Sequence, residues 1–276
     1  MQDRLLIVDG HNLLFQMFFG MPARIVNKSG KPIQGVIGFV GALNKMLKRF
    51  NPKYTVVLFD GEHGNSRLEI LDSYKGNRLD YSEVEEEFNP FSQLPFIYAA
   101  LDFMNIKHIE VEEDEADDVI SSYVYKYQEE TKIIIASFDS DFFQLINENV
   151  EIFRYRGNNS YICDATYLFN KYKIAPRQYA FFKSLVGDSA DNIKGIKKIG
   201  VKTAAKLVNQ FADINDLYLR IDNLKNEVIK DNLLYGREDL LRNFTLIKLG
   251  NQSKVPFPLF DLIYAYKDIT TTDILK

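Results

Sequence analysis

The chain has 276 residues, 46% of them hydrophobic and 26% charged, and its 34 basic and 38 acidic side chains give a net charge of -4. This is enough to bury the core of one large domain or two small ones. The single cysteine, Cys163, excludes an internal disulfide framework, and the scattered His11, His63 and His108 lack zinc-binding spacing.

RLLIV (Arg4 to Val8) is a short apolar run closed by Asp9-Gly10, and that aspartate breaks up any N-terminal leader. No later apolar run approaches the ~18 residues of a membrane span, so a reducing, cytoplasmic setting without membrane contact is expected. The Asn-x-Ser/Thr triplets at Asn158 and Asn243 are then chance matches. GVIGFVGALNKMLKRF (Gly35 to Phe50) has helical spacing, and YTVVLF (Tyr54 to Phe59) is a second strand closed by Asp60-Gly61. KHIEV (Lys107 to Val111) is a weaker strand, DVISSYVYKYQ (Asp118 to Gln128) a helix, and KIIIASF (Lys132 to Phe138) a third strong strand closed by Asp139. The alternation predicts an α/β fold with a mainly parallel central sheet flanked by helices. From about Tyr167 the pattern turns helical, which sets a soft boundary between a core at 1–166 and a helical region at 167–276.

In a parallel sheet Asp9, Asp60 and Asp139 project from the same carboxyl-terminal edge. The stretch EVEEDEADD crowds Glu110, Glu112, Glu113, Asp114, Glu115, Asp117 and Asp118 into nine residues after a strand candidate, which would bring Glu115, Asp117 and Asp118 to that edge at a helix start. Acids in a first helical turn complement the macrodipole by ~0.3–1 kcal/mol each, which accounts for two or three of them. A lone Asp after a strand is usually a turn or N-cap residue. Together with Asp141, however, these carboxylates would repel one another and raise each other's pKa unless a cation lay between them. All-oxygen ligands favour Mg²⁺ or Mn²⁺.

A second acidic pair, Asp188 and Asp191, is spaced to share a helix face or to cap a helix. It opens GDSADNIKGIKKIGVKTAAKLV, where Gly195 and Gly200 suit tight turns and KTAAKLV resumes a helix with a free N-terminus. Lys194, Lys197, Lys198, Lys202 and Lys206 surround that turn, as expected of a hairpin gripping a phosphate backbone without reading sequence.

VDG (Val8 to Gly10), FD (Phe59 to Asp60), YKGNR (Tyr74 to Arg78), EADDVI (Glu115 to Ile120), DSD (Asp139 to Asp141) and GDSADNIKGIKKIGVKTA (Gly187 to Ala204) occur in the order of the 5′-nuclease domain of bacterial DNA polymerase I. From about residue 4 to about residue 250 the chain resembles that family, within the wider group of flap endonucleases, as a free-standing member. The resemblance implies a PIN-like core, a C-terminal region with a helix-three-turn-helix at about 184–210, and metal-dependent hydrolysis of branched DNA carrying a 5′ flap or a 5′ end beside duplex. It assigns Asp9, Asp60, Glu115 and Asp117, with Asp118 beside them, to a first metal, and Asp139, Asp141, Asp188 and Asp191 to a second about 3.5–4 Å away. Lys75 and Arg78 match residues that reach the scissile phosphate, so Asp9, Asp117 and Asp141 join them as expected catalytic residues. Their i, i+3 spacing would put Lys75 and Arg78 on one helix face. Tyr74 matches an aromatic on which a terminal base stacks.

The hairpin residues Lys194, Gly195, Lys197, Lys198, Gly200, Lys202 and Thr203 correspond to those that grip duplex, and the backbone near Ile193, Ile196 and Ile199 to a potassium site. Lys194 and Lys198 depart from the family pattern, which commonly has proline and glycine there. The stretch at about 76–95 falls where the family has an arch, yet Glu83, Glu85, Glu86 and Glu87 suit a solvated helix face equally well. Setting the nine matched carboxylates aside leaves 29 acidic against 34 basic residues, a balance of +5 compatible with a nucleic-acid partner. The rival readings are a branched-DNA-binding relative that cleaves poorly, a PIN-type ribonuclease, and a phosphatase for small phosphorylated molecules. A monomer working alongside a DNA polymerase is the expected arrangement.

Overall fold

The computed structural model describes all residues except 1, 22–24, 62–66, 68, 69, 113, 266–269, 275 and 276. His63 and Glu113 therefore lie outside the described residues. The runs Leu5–Val8, Val56–Phe59 and Ile133–Ala136 are almost wholly buried, as strands covered on both faces must be. They form the middle of a sheet built from β1 (Arg4–Asp9), β2 (Tyr54–Asp60), β3 (Lys107–Val111), β4 (Lys132–Ala136), β5 (Val150–Arg154) and β6 (Tyr161–Cys163). The spatial order is β3-β2-β1-β4-β5-β6, and the pairs are parallel up to β5, with β6 antiparallel at the edge.

The four strand readings hold, but β5 and β6 were not anticipated from sequence. In VEIFR the apolar Val150, Ile152 and Phe153 are interrupted by Glu151 and Arg154, too short and mixed a pattern to announce a strand. Its stability comes from pairing with β4 and from Phe153 packing edge-on against Phe50.

Alternate strand residues face opposite cores, the consequence of a side-chain period of two. Leu6, Val8, Val57 and Phe59 pack with α1 (Gly10–Gly20), α2 (Gln34–Phe50) and α3 (Leu94–Phe103). Leu5, Ile7, Val56 and Leu58 pack with Val119, Ile120, Tyr123 and Val124 of α4 (Ala116–Tyr127). The second core continues into α5 (Ala165–Tyr172), α6 (Tyr179–Val186), α7 (Val201–Gln210), α8 (Ile214–Leu219), α9 (Glu227–Tyr235) and α10 (Arg237–Ile247). A two-stranded ribbon, β7 (Gly187–Asp188) with β8 (Ile193–Lys194), separates α6 from α7.

Residues 72–88 form turns joined by irregular backbone, and a short 3-10 turn, Pro90–Gln93, leads into α3. The helix face considered for Glu83, Glu85, Glu86 and Glu87 is therefore absent. Among the described residues no helix is long and apolar enough to cross a membrane.

Candidate metal centre and nucleic-acid interface

The strand order fixes where the site forms. The chain runs outward from β1 through β2 to β3, then returns to the other side of β1 as β4, and such a reversal opens a crevice at the carboxyl ends of the strands. Asp9 lies at the tip of β1, where Oδ1 accepts the Asn12 N–H at 3.1 Å and caps α1, while Oδ2 accepts the Ser137 hydroxyl at 2.7 Å. Burial, reinforced by the charge of Asp60, pushes the Asp9 carboxyl up to about 7. Asp60 ends β2 and accepts the Ala116 N–H at 2.8 Å, so α4 is capped by a neighbouring strand. Glu115, in the N-cap position itself, makes no capping bond. Burial would raise Asp60, but His11, the Ala116 N–H and Lys75 outweigh it and hold the group down at about 2.

Asp117, in the first turn of α4, is driven well above the ordinary carboxylate range by burial and then by Asp139, Asp60 and Asp9. Asp139 follows β4, and its Oδ1 accepts the Asp141 N–H at 2.7 Å. Asp141 is 7% exposed and pushed up to about 7 by burial, with Lys183 opposing and Asp139 adding to the shift. Among the described residues, Asp141, Asp188 and Asp191 each place an oxygen within 4.8 Å of the others. Asp188 and Asp191 sit on the β7–β8 turn rather than on a helix, and Asp188 accepts the Ala190 N–H at 2.9 Å. Burial raises Asp191 despite Lys75 and Arg78. Carboxyls that resist ionisation in an all-oxygen crevice fit a hard divalent cation, whose charge would relieve what now raises them.

Two cations that sequence reasoning missed organise this crevice. Lys183 is 6% exposed, with its ammonium on Asp141 and at 2.5 Å from Asp188. Although burial disfavours its charge, Asp141, Asp139 and Asp188 raise its pKa. A single lysine inside the apolar run YAFFKSLV, one turn before Gly187-Asp188, was the available signal. Arg67 is 8% exposed and pairs with Glu115 and with both oxygens of Asp118 at 3.0 and 2.9 Å. Asp118 also accepts the Gly250 N–H at 2.7 Å. Asp118, expected beside the first metal, thus has its oxygens on Arg67 and Gly250, where they brace α4. Glu115 is shared between Arg67 and Lys75, the latter at 2.9 Å.

The turn carrying Tyr74, Lys75 and Arg78 also differs from expectation. Lys75 takes a left-handed conformation, φ 53°, inside successive turns, so it and Arg78 do not share a helix face. Lys75 reaches Glu115, whereas Arg78 reaches Asp191 at 2.8 Å. Tyr74 is 3% exposed, packed with Ala180, Ile193, Leu246 and Ile247, which rules out base stacking on its ring in this structure. The turn is tied to the acidic ribbon by Lys75 N–H to Asp191 O at 3.0 Å, Asn77 to Ser189 O at 2.9 Å and Asn192 to Ser73 O at 2.9 Å.

Beyond the ribbon, Gly187 and Gly195 cross back to back. Gly187 has φ +87°, and a Cβ on Gly195 would meet the Val186 carbonyl oxygen at 2.1 Å. Gly200, by contrast, has ordinary extended backbone and open space, and it precedes the free N–H groups of α7. Lys194, Lys197, Lys198, Lys202 and Lys206 are exposed around this hairpin, Thr203 is half-buried, and the side chains of Ile193, Ile196 and Ile199 are buried. Lys198 has φ 65°, a left-handed conformation that favours glycine.

A family model described as the 5′-3′ exonuclease N-terminal resolvase-like domain matches residues 4–173, and one described as its C-terminal SAM fold matches 174–270. The chain belongs to the 5′-3′ exonuclease family. DNA polymerase I of Streptococcus pneumoniae is 32% identical over 97% of this chain, and the chain spans 31% of that relative's length. A 5′-3′ exonuclease of Buchnera aphidicola is 29% identical, with 94% of this chain and 90% of the relative covered. The bacteriophage T5 flap endonuclease, solved as a pseudo-enzyme-product complex with DNA and metal ions, has 27% identity, a TM-score of 0.69 and 88% coverage of each chain. The mainly parallel sheet and C-terminal helical region are thus those of this exonuclease family.

Proposed function

We propose that the protein is a structure-selective 5′-nuclease that hydrolyses DNA phosphodiester bonds at a 5′ flap or at a 5′ end beside duplex. The observation that carries this is the joining of Asp141, Asp188 and Asp191, from two parts of the fold, beside Asp9, Asp60, Asp117 and Asp139 at the sheet's switch point. Asp9, Asp60, Glu115 and Asp117 would hold one divalent ion, and Asp139, Asp141, Asp188 and Asp191 a second, with Mg²⁺ or Mn²⁺ suited to the oxygen donors. Bound there, such ions would supply Lewis acidity to a phosphate oxygen and a more acidic water. Lys75, resting on Glu115, and Arg78, on Asp191, would neutralise and orient the scissile phosphate. Lys183 would hold Asp141 and Asp188 in register.

The helix-three-turn-helix at 184–210 would grip duplex through Lys194, Gly195, Lys197, Lys198, Gly200, Lys202 and Thr203, with carbonyls near Ile193, Ile196 and Ile199 offered to a potassium ion. Division into a core at 1–166 and a helical region at 167–276, with an arch at about 76–95, is part of this reading. So are a monomeric state, a cytoplasmic setting and partnership with a DNA polymerase. The test is metal-dependent cutting of a labelled 5′-flap duplex. Asp141→Ala and Asp188→Ala should abolish cleavage and leave much DNA binding intact, and normal cleavage by both at limiting Mg²⁺ would overturn the assignment. Lys75→Ala should lower the single-turnover rate more than affinity.

A further inference from the structure

We infer that the groove between the end of α5 and the outer face of α7 carries a second run of phosphate contacts, extending the duplex grip beyond the hairpin. This rests on the nuclease reading above. The groove has a volume of about 690 Å³ and is lined by Lys171, Lys173, Lys202 and Lys206, with no acidic side chain on its walls. All four lysines are exposed, and Lys202 and Lys206 lie one turn apart on α7. The walls are fastened together: the Asn209 amide donates to Lys173 O at 2.8 Å on one side and to Ala205 O at 2.8 Å on the other.

Backbone strain points the same way. Among the described residues, the non-glycine positions with positive φ are Asn51, Asn105 and Asn192, and Lys75, Lys173 and Lys198. Asparagine tolerates the left-handed region through local hydrogen bonding, whereas lysine has no such compensation. Lys75 lies at the acidic crevice and Lys198 on the hairpin turn. Lys173 ends α5 at φ 61°, ψ 36°, its N–H donating to Phe169 O at 2.9 Å, in the position where helices usually place glycine. A lysine there costs folding free energy that glycine would not, so its charge calls for another reason.

The occupant is a nucleic-acid strand rather than an acidic protein, because the lysines continue from the exposed N–H groups of α7, where Gly200 leaves open space. Ten residues of α7 span ~15 Å, the rise of four or five phosphates at ~3.4 Å each along one strand.

The test is a salt titration of binding to 5′-flap DNA without divalent cation, using downstream duplexes of about 18 and about 6 base pairs, for the wild type, Lys171→Gln and Lys173→Gly. On the long duplex each substitution should lower the slope of log affinity against log salt by about 0.9 and weaken binding about 8-fold at about 0.1 M salt. On the short duplex neither should matter. Lys173→Gly should also raise Tm, which separates lost contact from lost structure. Unchanged slope and affinity on the long duplex, or equal losses on both lengths, would overturn the inference and leave the nuclease reading standing. A wild-type protein that binds neither duplex would overturn both.

Discussion

Raising the pH from 5 to 8 in the presence of a chelator should destabilise the protein, and divalent cation should restore what is lost. Asp9 and Asp141 carry folded-state pKa values of about 7, above the ordinary carboxylate value of 3.8. A carboxyl raised on folding contributes stability that is fully present below its unfolded pKa and is lost as pH rises through the folded value. Between pH 5 and 8 that loss is of order 2–3 kcal/mol for each carboxyl, enough to lower Tm by roughly 10 °C in a chain of this size. Asp60, held at about 2, works in the opposite sense but only as pH falls below the ordinary value of 3.8, outside this window. Thermal unfolding by circular dichroism at several pH values, with chelator and with Mg²⁺, measures the effect. Asp9→Asn and Asp141→Asn should each flatten the chelated profile. A Tm that holds steady or climbs from pH 5 to 8 with chelator would refute the account of the carboxyls as charge-strained.

Arg67→Met should cost about 3–5 kcal/mol, because Glu115 and Asp118 would lose a nearly buried partner; urea unfolding reads this, and a loss under 1 kcal/mol would remove Arg67 from its bracing role. Gly195→Ala should destabilise by about 3 kcal/mol, since the new Cβ would strike the backbone of Val186, and a normal Tm would contradict the close crossing with Gly187. Lys198→Gly should raise stability by about 1 kcal/mol by relieving the left-handed lysine, and a fall in Tm would argue against strain there.

Most of the sheet was legible because RLLIV, YTVVLF and KIIIASF are apolar runs of strand length closed by turn residues or acids, with KHIEV a weaker, more polar fourth. The gathering of Asp9, Asp60 and Asp139 followed from parallel topology alone. What sequence could not supply was the identity of each carboxylate's counter-charge. Asp118 differs from Asp117 by one position, yet a helix turns ~100° per residue, which sends Asp118 to Arg67 and leaves Asp117 among acids. Base stacking on Tyr74 was implied by the family resemblance alone, and its burial depends on Leu246 and Ile247 of α10, far along the chain. The β5–β6 pair escaped because both segments are short and mix apolar with polar residues, so only their pairing with β4 marks them as strands.

The three ties between the Ser73–Asn77 turn and the Ser189–Asn192 turn make one rigid block of the segment bearing Lys75 and the segment bearing Asp191. Residues 79–89 leave that block and have anchors of their own: Tyr81 packs edge-on against Phe15 and Phe91, Glu86 pairs with Lys31 at 3.2 Å, and Asn89 caps the turn that starts at Pro90. That detour is a module. Substitutions along it act on those anchors first, because the block behind is held by its own three hydrogen bonds.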